Sequence, residues 1–247
     1  MKRFPLKVKR ILKRFKMKTL ILISHPKLAD SATQEFLKTA GKSQANVDFE
    51  YIDDLYKGTK IDVIQQQRQL TKYSRIIFQF PMYWYSSPAS LKQYMDDVFT
   101  RKFVVADHLL RNKELGIVVT LGDAEAEFQA GGGEHFTISE LLRPFEAFAN
   151  KAGMTYLKPF VVNQFGYLEE DQKELLLVNY LQYVSAVMPL NLDNREKWLV
   201  DRLTKMKQEK SEADQQKLNL IIGSIEAQQD QIDDLKVNIK MIRDQEE

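Results

Sequence analysis

His25 and Ser31 stand six residues apart in His25-Pro26-Lys27-Leu28-Ala29-Asp30-Ser31-Ala32-Thr33-Gln34, between an apolar run and the helical pattern of Phe36, Leu37 and Ala40. A strand-to-helix loop of this kind presents unpaired N–H groups at a helix N-terminus, where an anion is favoured. An imidazole N–H and a serine hydroxyl add further donors for a phosphate oxygen. A second group is Tyr83-Trp84-Tyr85, placed just past the apolar run that ends in Phe80, Pro81 and Met82. Its rings can pack on a flat ligand while the loop's N–H groups bond a heteroaromatic edge. A third is the long polar loop from Gly122 to Phe136, with three consecutive glycines and His135. Loops of that length are often functional, and a histidine can donate a proton at neutral pH.

The elements that must hold these groups can be read from periodicity. Residues 18–24, 75–80 and 115–121 are apolar runs of buried-strand type, 47–52 alternates, and 154–163 supplies a fifth strand. Helices follow each: one from Phe36, one from Asp62 through Leu70, and one carrying Leu91, Met95, Val98 and Phe99, with Ser87 as N-cap and Pro88 in its first turn. Residues 137–152, stopped by Gly153, and residues 169–187 complete the set. Five strands alternating with helices predict a three-layer parallel α/β domain, whose ligands bind outside the carboxyl ends of the strands.

Composition bounds the chemistry. The 247 residues contain no cysteine, which excludes disulfides, thiolate nucleophiles and cysteine-ligated metal clusters. Redox chemistry would therefore need a bound cofactor. A net charge of +2 implies no nucleic-acid partner, and no apolar run approaches the ~20 residues of a membrane span. The expected location is cytoplasmic. Neither a G-x-G-x-x-G fingerprint nor a P-loop lysine is present. Asp53, Asp54 and Asp62 read as a solvated loop and a helix cap, with no metal site.

Pro81, Trp84, Ser87, Pro88, Leu91, Lys92, Asp96, Val98 and Phe99 together resemble the flavodoxin-like NAD(P)H:quinone oxidoreductases, a family that includes the ancillary subunits of bacterial potassium-efflux systems. The resemblance covers about residues 17–188 and implies a five-stranded parallel sheet in the order 2-1-3-4-5. It implies that the flavin phosphate is held by His25, Ser31, Ala32 and Gln34, the last standing where the family often has Asn. The flavin ring would lie against Pro81, Met82, Tyr83, Trp84 and Tyr85, and against Thr120, Leu121 and Gly122. Leu121 and Asp123 depart from the family's Thr-Thr-Gly-Gly. The Tyr and His that assist hydride transfer in the mammalian enzyme fall at Phe128 and His135, so only His135 is carried over as catalytic. The implied cofactor is FMN, with FAD as the alternative, and NADH or NADPH as electron donor. The acceptor is a small molecule, a quinone or an azo or nitro compound, reduced by a ping-pong cycle.

The two ends lie outside that resemblance. Residues 1–16 are basic with interleaved apolar residues, read as a segment on anionic lipid, as a disordered arm, or as the product of an upstream start codon ahead of a natural Met17. After residues 17–188, the segment 189–247 is helical, and Leu218, Ile221, Ile225, Gln228, Ile232, Leu235, Ile239 and Ile242 follow a heptad. This predicts a coiled coil making a homo-oligomer, or else a hairpin folded on its own chain. Two functions follow: a flavin enzyme, or an ancillary flavoprotein docking through its tail on a membrane transporter.

Overall fold

The computed structural model describes residues 17–58, 60–208 and 210–246, and the basic segment 1–16 lies outside them. The chain divides into two units, one ending at Ser185 and the other running from Ala186 to Glu247. Among the described residues, no helix is long and apolar enough to cross a membrane.

The first unit runs β1 (Thr19–Ile23), α1 (Ala32–Lys42), β2 (Val47–Tyr51), α2 (Ile52–Leu55), α3 (Val63–Thr71), β3 (Arg75–Pro81) and α4 (Ala89–Val98). It continues with β4 (Glu114–Leu121), α5 (Ile138–Leu141), α6 (Arg143–Ala152), β5 (Thr155–Tyr156), β6 (Phe160–Asn163) and α7 (Glu170–Ser185). Every strand pairing is parallel, in the order β2-β1-β3-β4-β5, and β6 also pairs with β4. All residues of β1 and β3 are buried, as strands covered on both faces must be. The sheet order is therefore the one implied by the resemblance, with a sixth strand added.

Three local departures have proline as their cause. The fifth strand is split into β5 and β6 around Lys158-Pro159, because Pro159 offers no N–H to β4. The helix expected over 137–152 breaks into α5 and α6 because Pro144, in the first turn of α6, cannot continue the hydrogen-bond ladder of α5. Pro88 takes an extended conformation and is itself the N-cap of α4, so the helix starts one residue later than Ser87 would place it.

On one face of the sheet Phe78 and Phe80 meet Phe145 of α6, with ring centroids 5.9 and 5.5 Å apart. Near the other end of β3, Arg75 has no exposed side-chain surface. Its Nε donates to Glu114 Oε2 at 2.6 Å, and its guanidinium donates to the Tyr183 carbonyl of α7. Gly116 makes room for the same helix: a Cβ there would stand 2.8 Å from the Tyr183 hydroxyl, which accepts the Ile117 N–H.

The second unit is a helical hairpin, α8 (Leu192–Lys207) followed by α9 (Glu212–Glu246). Lys207 Nζ bonds Asn219 Oδ1 at 2.7 Å near the turn, and Lys236 Nζ bonds Asp193 Oδ1 at 3.1 Å at the far end. Gln215, Leu218, Ile222, Ile225, Gln229 and Ile232 form the half-buried row of α9. That row shares three positions with the expected heptad, but Gln228, the heptad's polar position, is exposed and Gln229 is half-buried instead. Ile221, Leu235, Ile239 and Ile242 remain exposed.

Removing one partner of a buried ion pair leaves an uncompensated charge, whereas exposed pairs contribute little. Glu114→Ala should cost about 3 kcal/mol of unfolding free energy. Glu146→Ala, which breaks an exposed pair with Arg143, should cost under about 1 kcal/mol. Urea denaturation of both variants measures the contrast.

Candidate functional site

The parallel sheet delivers the ends of β1, β3 and β4 to one edge. Ile23 is in register with Gln79, and Pro81 with Thr120. Past that register the Ser24 N–H bonds the Gln79 carbonyl at 3.0 Å, and the Met82 N–H bonds the Thr120 carbonyl at 2.9 Å. The hydroxyls of Ser24 and Ser90, at the start of α4, lie 2.7 Å apart. The loop after β1 and the loop after β3 are thus fastened side by side.

His25 opens the first of these loops and is buried. Its backbone is held by Asp53, whose Oδ2 accepts the His25 N–H at 3.0 Å, and by Tyr51, whose hydroxyl donates to the His25 carbonyl. The Lys27 N–H donates to Nδ1 at 3.1 Å, which leaves the ring proton on Nε2. Burial lowers the imidazole pKa below its ordinary value, partly offset by Asp53 and Asp30. His25 is therefore a neutral donor with a fixed tautomer. Ser31 is the N-cap of α1, its Oγ accepting the Gln34 N–H at 3.3 Å, so its hydroxyl proton stays available. The N–H groups of Ala32 and Thr33 in the same turn have no acceptor among the described residues.

Gln34 is turned inward. Its Oε1 accepts from Gln79 at 2.7 Å, and Gln79 in turn accepts from the Tyr180 hydroxyl at 2.8 Å. Gln34 Nε2 is left without a protein acceptor, which is costly for a buried donor. A neutral imidazole donor, a free hydroxyl and an unpaired helix N-terminus fit the phosphate of a flavin mononucleotide.

In the second loop the Tyr83 N–H and the Ser86 carbonyl bond each other at 2.9 Å, and the Ser86 N–H returns to the Tyr83 carbonyl at 3.0 Å. Between them Trp84 and Tyr85 have φ of 45° and 62°. Positive φ at both central residues is the primed turn that glycine and asparagine favour. Holding two bulky residues there costs of order 1–3 kcal/mol each. The result is a tryptophan ring 93% exposed, a tyrosine ring about half exposed, and two N–H groups with no acceptor among the described residues.

Trp84 and Tyr85 form one wall of a cleft of about 200 Å³. Met82, Leu121 and Gly122 line its floor together with Phe128, which belongs to the buried core, and the loop after β4 contributes Asp123 and Glu134. The Tyr85 hydroxyl donates to Glu134 Oε2 at 2.8 Å, joining the two loops. That carboxylate raises the Tyr85 pKa above its ordinary value. His135 follows Glu134 with φ of 60°; its side chain is exposed and is not among the lining residues.

The structure thus gathers His25, Ser31, Ala32 and Gln34 at one end of the edge and Met82, Trp84, Tyr85, Leu121 and Gly122 at the other. Pro81 and Thr120 are paired strand ends between them, and Tyr83 anchors the turn. Asp53, Tyr51, Asp123 and Glu134 were not among the residues expected from sequence. A paired carboxylate after β2 reads as a solvated loop, and nothing local links Glu134 to a hydroxyl forty-nine residues earlier. Among the described residues no cluster of His, Asp and Glu is arranged to hold a metal ion.

His25→Ala should weaken FMN binding by about 1.5–3 kcal/mol, the range for a hydrogen bond to a charged group. Ser31→Ala should lose affinity and, as a cap, about 1 kcal/mol of stability. Because the His25 pKa is lowered in the folded chain, its contribution to stability is lost as pH falls through the ordinary histidine range. A bound phosphate dianion favours the charged imidazole, so the His25 pKa should rise on adding FMN. FMN titration and histidine NMR with and without ligand read out these effects.

A family model described as Flavodoxin-like fold matches residues 17–186. The uncharacterized NAD(P)H oxidoreductase YrkL of Bacillus subtilis is 41% identical over 173 residues, covering 67% of this chain and 98% of that protein. The glutathione-regulated potassium-efflux system ancillary protein KefG of Pectobacterium atrosepticum is 31% identical over 174 residues, covering 70% and 95%. Among solved structures, the NADPH-quinone reductase of P. pentosaceus is 51% identical with a TM-score of 0.65, covering 69% of this chain and 99% of that one. General stress protein 14 of Treponema denticola, in complex with FMN, is 27% identical with a TM-score of 0.63, covering 68% and 97%. A model match over most of the chain, on a sheet of the same strand order, shows that the chain belongs to the flavodoxin-like fold family.

Proposed function

We propose that the chain is an FMN-dependent NAD(P)H oxidoreductase of the quinone-reductase type, working by a ping-pong cycle on quinones or on azo and nitro compounds. The observation that carries this reading is the fastening of the β1 and β3 loops side by side, through Ser24 and Ser90 at 2.7 Å. That contact brings the two loops together and so supports a phosphate site and a ring platform sharing one edge. The named relatives support the same chemistry, as NAD(P)H oxidoreductase, NADPH-quinone reductase and FMN complex.

Bound FMN supplies hydride acceptance and donation. The chain positions and polarises. His25 Nε2–H, the Ser31 hydroxyl and the first turn of α1 would hold the phosphate, and the N–H groups of Trp84 and Tyr85 would be donors for the ring. Trp84 and Tyr85 cover one side of the cleft. Reducing a quinone consumes a hydride and a proton, and His135, exposed beside Glu134, is the proposed source of that proton. Phe128 has no hydroxyl and sits in the core, so it takes no part in proton transfer. His135→Ala should therefore slow quinone reduction by no more than about 10- to 100-fold, a modest general-acid contribution. Stopped-flow reduction by NADH and NADPH, followed by reoxidation with a quinone, measures both halves. If neither nucleotide reduces the bound flavin within seconds, the enzyme reading fails.

The exposed apolar row of α9 favours a second role, a partner contact through the tail. Ile221, Leu235, Ile239 and Ile242 lie uncovered on the helix, and isolated apolar faces of this kind are covered by partners in functioning proteins. The proposed partner is a second copy of the chain, with docking on a transporter, as the name of KefG suggests for that relative, as the alternative. Cytoplasmic residence suits either. Ile239→Glu with Ile242→Glu should convert an oligomer to a monomer in light scattering while FMN stays bound. A wild-type monomer would overturn self-association, and a co-purifying membrane protein would then favour docking.

A further inference from the structure

α9 carries two heptad rows that share Leu218, Ile225 and Ile232. The half-buried row leaves them on one side through Ile222 and Gln229, and Gln229 Nε2 reaches Asp193 of α8 at 3.4 Å. The other row leaves them on the opposite side through Ile221, Gln228, Leu235 and Ile242, with Ile239 extending the shared line, and all five are exposed. Steps of three and four residues alternate from Leu218 to Ile242, the spacing that keeps a seam turned toward one partner helix over roughly 36 Å.

The hairpin leaves the end of this seam unsupported. Asp193, in the first turn of α8, bonds Lys236 at 3.1 Å, and α9 runs on from there to Glu246. A helical end of that length is marginal in water unless its apolar side is packed. The flank of the open seam is formed by Lys217, Ser224, Gln231 and Asn238, all exposed, with one charge among the four. Flanking charges choose the partner of such a helix. This flank has no charge pattern for an oppositely charged partner to match, and nothing that repels a copy of itself. Gln228 is the polar member of the seam. Packed against an apolar helix, its amide would be buried without a partner, which is costly. Packed against the same residue of a second copy, each amide satisfies the other.

We infer that the open seam of α9 is covered by α9 of a second copy, parallel and in register, with the two Gln228 amides bonded to each other. The inference rests on the self-association proposed for the tail and gives that contact its direction and register. In the antiparallel arrangement of the same seam, Ile221 meets Ile239 and Gln228 meets Ile232, so both amides are left unpaired. A single polar seam position fixes register in this way at a cost in stability.

The chain has no cysteine, so one introduced thiol reports its own neighbours. Ile221→Cys and Ile242→Cys are made separately in the full-length protein, with Asp230→Cys on the outward face as control. After mild oxidation, each seam variant should give at least about fivefold more disulfide-linked dimer than the control on a non-reducing gel. A disulfide needs Cβ atoms about 4 Å apart, and antiparallel pairing would separate like positions at the seam ends by more than roughly 25 Å. Ile221→Cys mixed with affinity-tagged Ile239→Cys should give no mixed dimer. Gln228→Leu should tighten the dimer about tenfold or more and let that mixed dimer appear. A mixed dimer with Gln228 present, no crosslink at either seam end in a protein that scatters light as a dimer, or a Gln228→Leu variant unchanged in both respects overturns the inference and leaves self-association standing. A wild-type monomer in light scattering instead removes self-association itself.

Discussion

The parallel hydrogen-bond ladder among β1, β3 and β4 is the constraint on which the rest depends. Parallel strands cannot be joined by tight hairpins, so every connection must cross over a face of the sheet and return. All strands then point the same way, and their carboxyl ends share one edge. The loops that carry His25, Trp84 and Glu134 are far apart in sequence, and this ladder is what makes them neighbours. Its cost is burial on both faces, which demands the unbroken apolar runs of β1 and β3 and leaves charge inside only where it is paired, as in Arg75 with Glu114.

The site is built by two different local devices. At the β1 end, the backbone is over-determined: Asp53 and Tyr51 clamp both sides of His25, and Lys27 selects its tautomer. At the β3 end, the backbone is strained: two aromatic residues occupy a turn that favours glycine. The first device preorganises donors for an anion. The second spends conformational energy to hold a tryptophan in solvent. Both arrangements make sense for a flat ring with a phosphate tail laid along the edge.

Charge is separated along the same edge. Neutral donors stand at the β1 end, beside His25 and Ser31, and Asp123 and Glu134 at the end formed by the loops after β3 and β4. The tyrosine that lines the ring site also ties down the acid beside it, so stacking surface and charge belong to one unit formed by the loops after β3 and β4.

Much of this was already determined by the amino-acid sequence. The buried-strand runs and their alternation with helices lead to the parallel α/β domain, and the proline-aromatic-Trp motif and the histidine-to-serine spacing lead to both loops, because each is a local pattern with a local physical cause; the strand order came with the family resemblance. Tertiary structure decided what depends on distance. It set the split of the last strand at Pro159, where a missing N–H matters only because β4 is beside it. It turned Gln34 inward to Gln79 and Tyr180, placed Phe128 in the core, and left His135 outside the cleft lining while Glu134 entered it. In α9 the heptad is legible over its whole length, yet only the row with Leu218, Ile225 and Ile232 is half-buried. A repeat of apolar residues states that a helix face must be covered; which residues are covered, and by what, is fixed only by the length and position of the neighbouring helix.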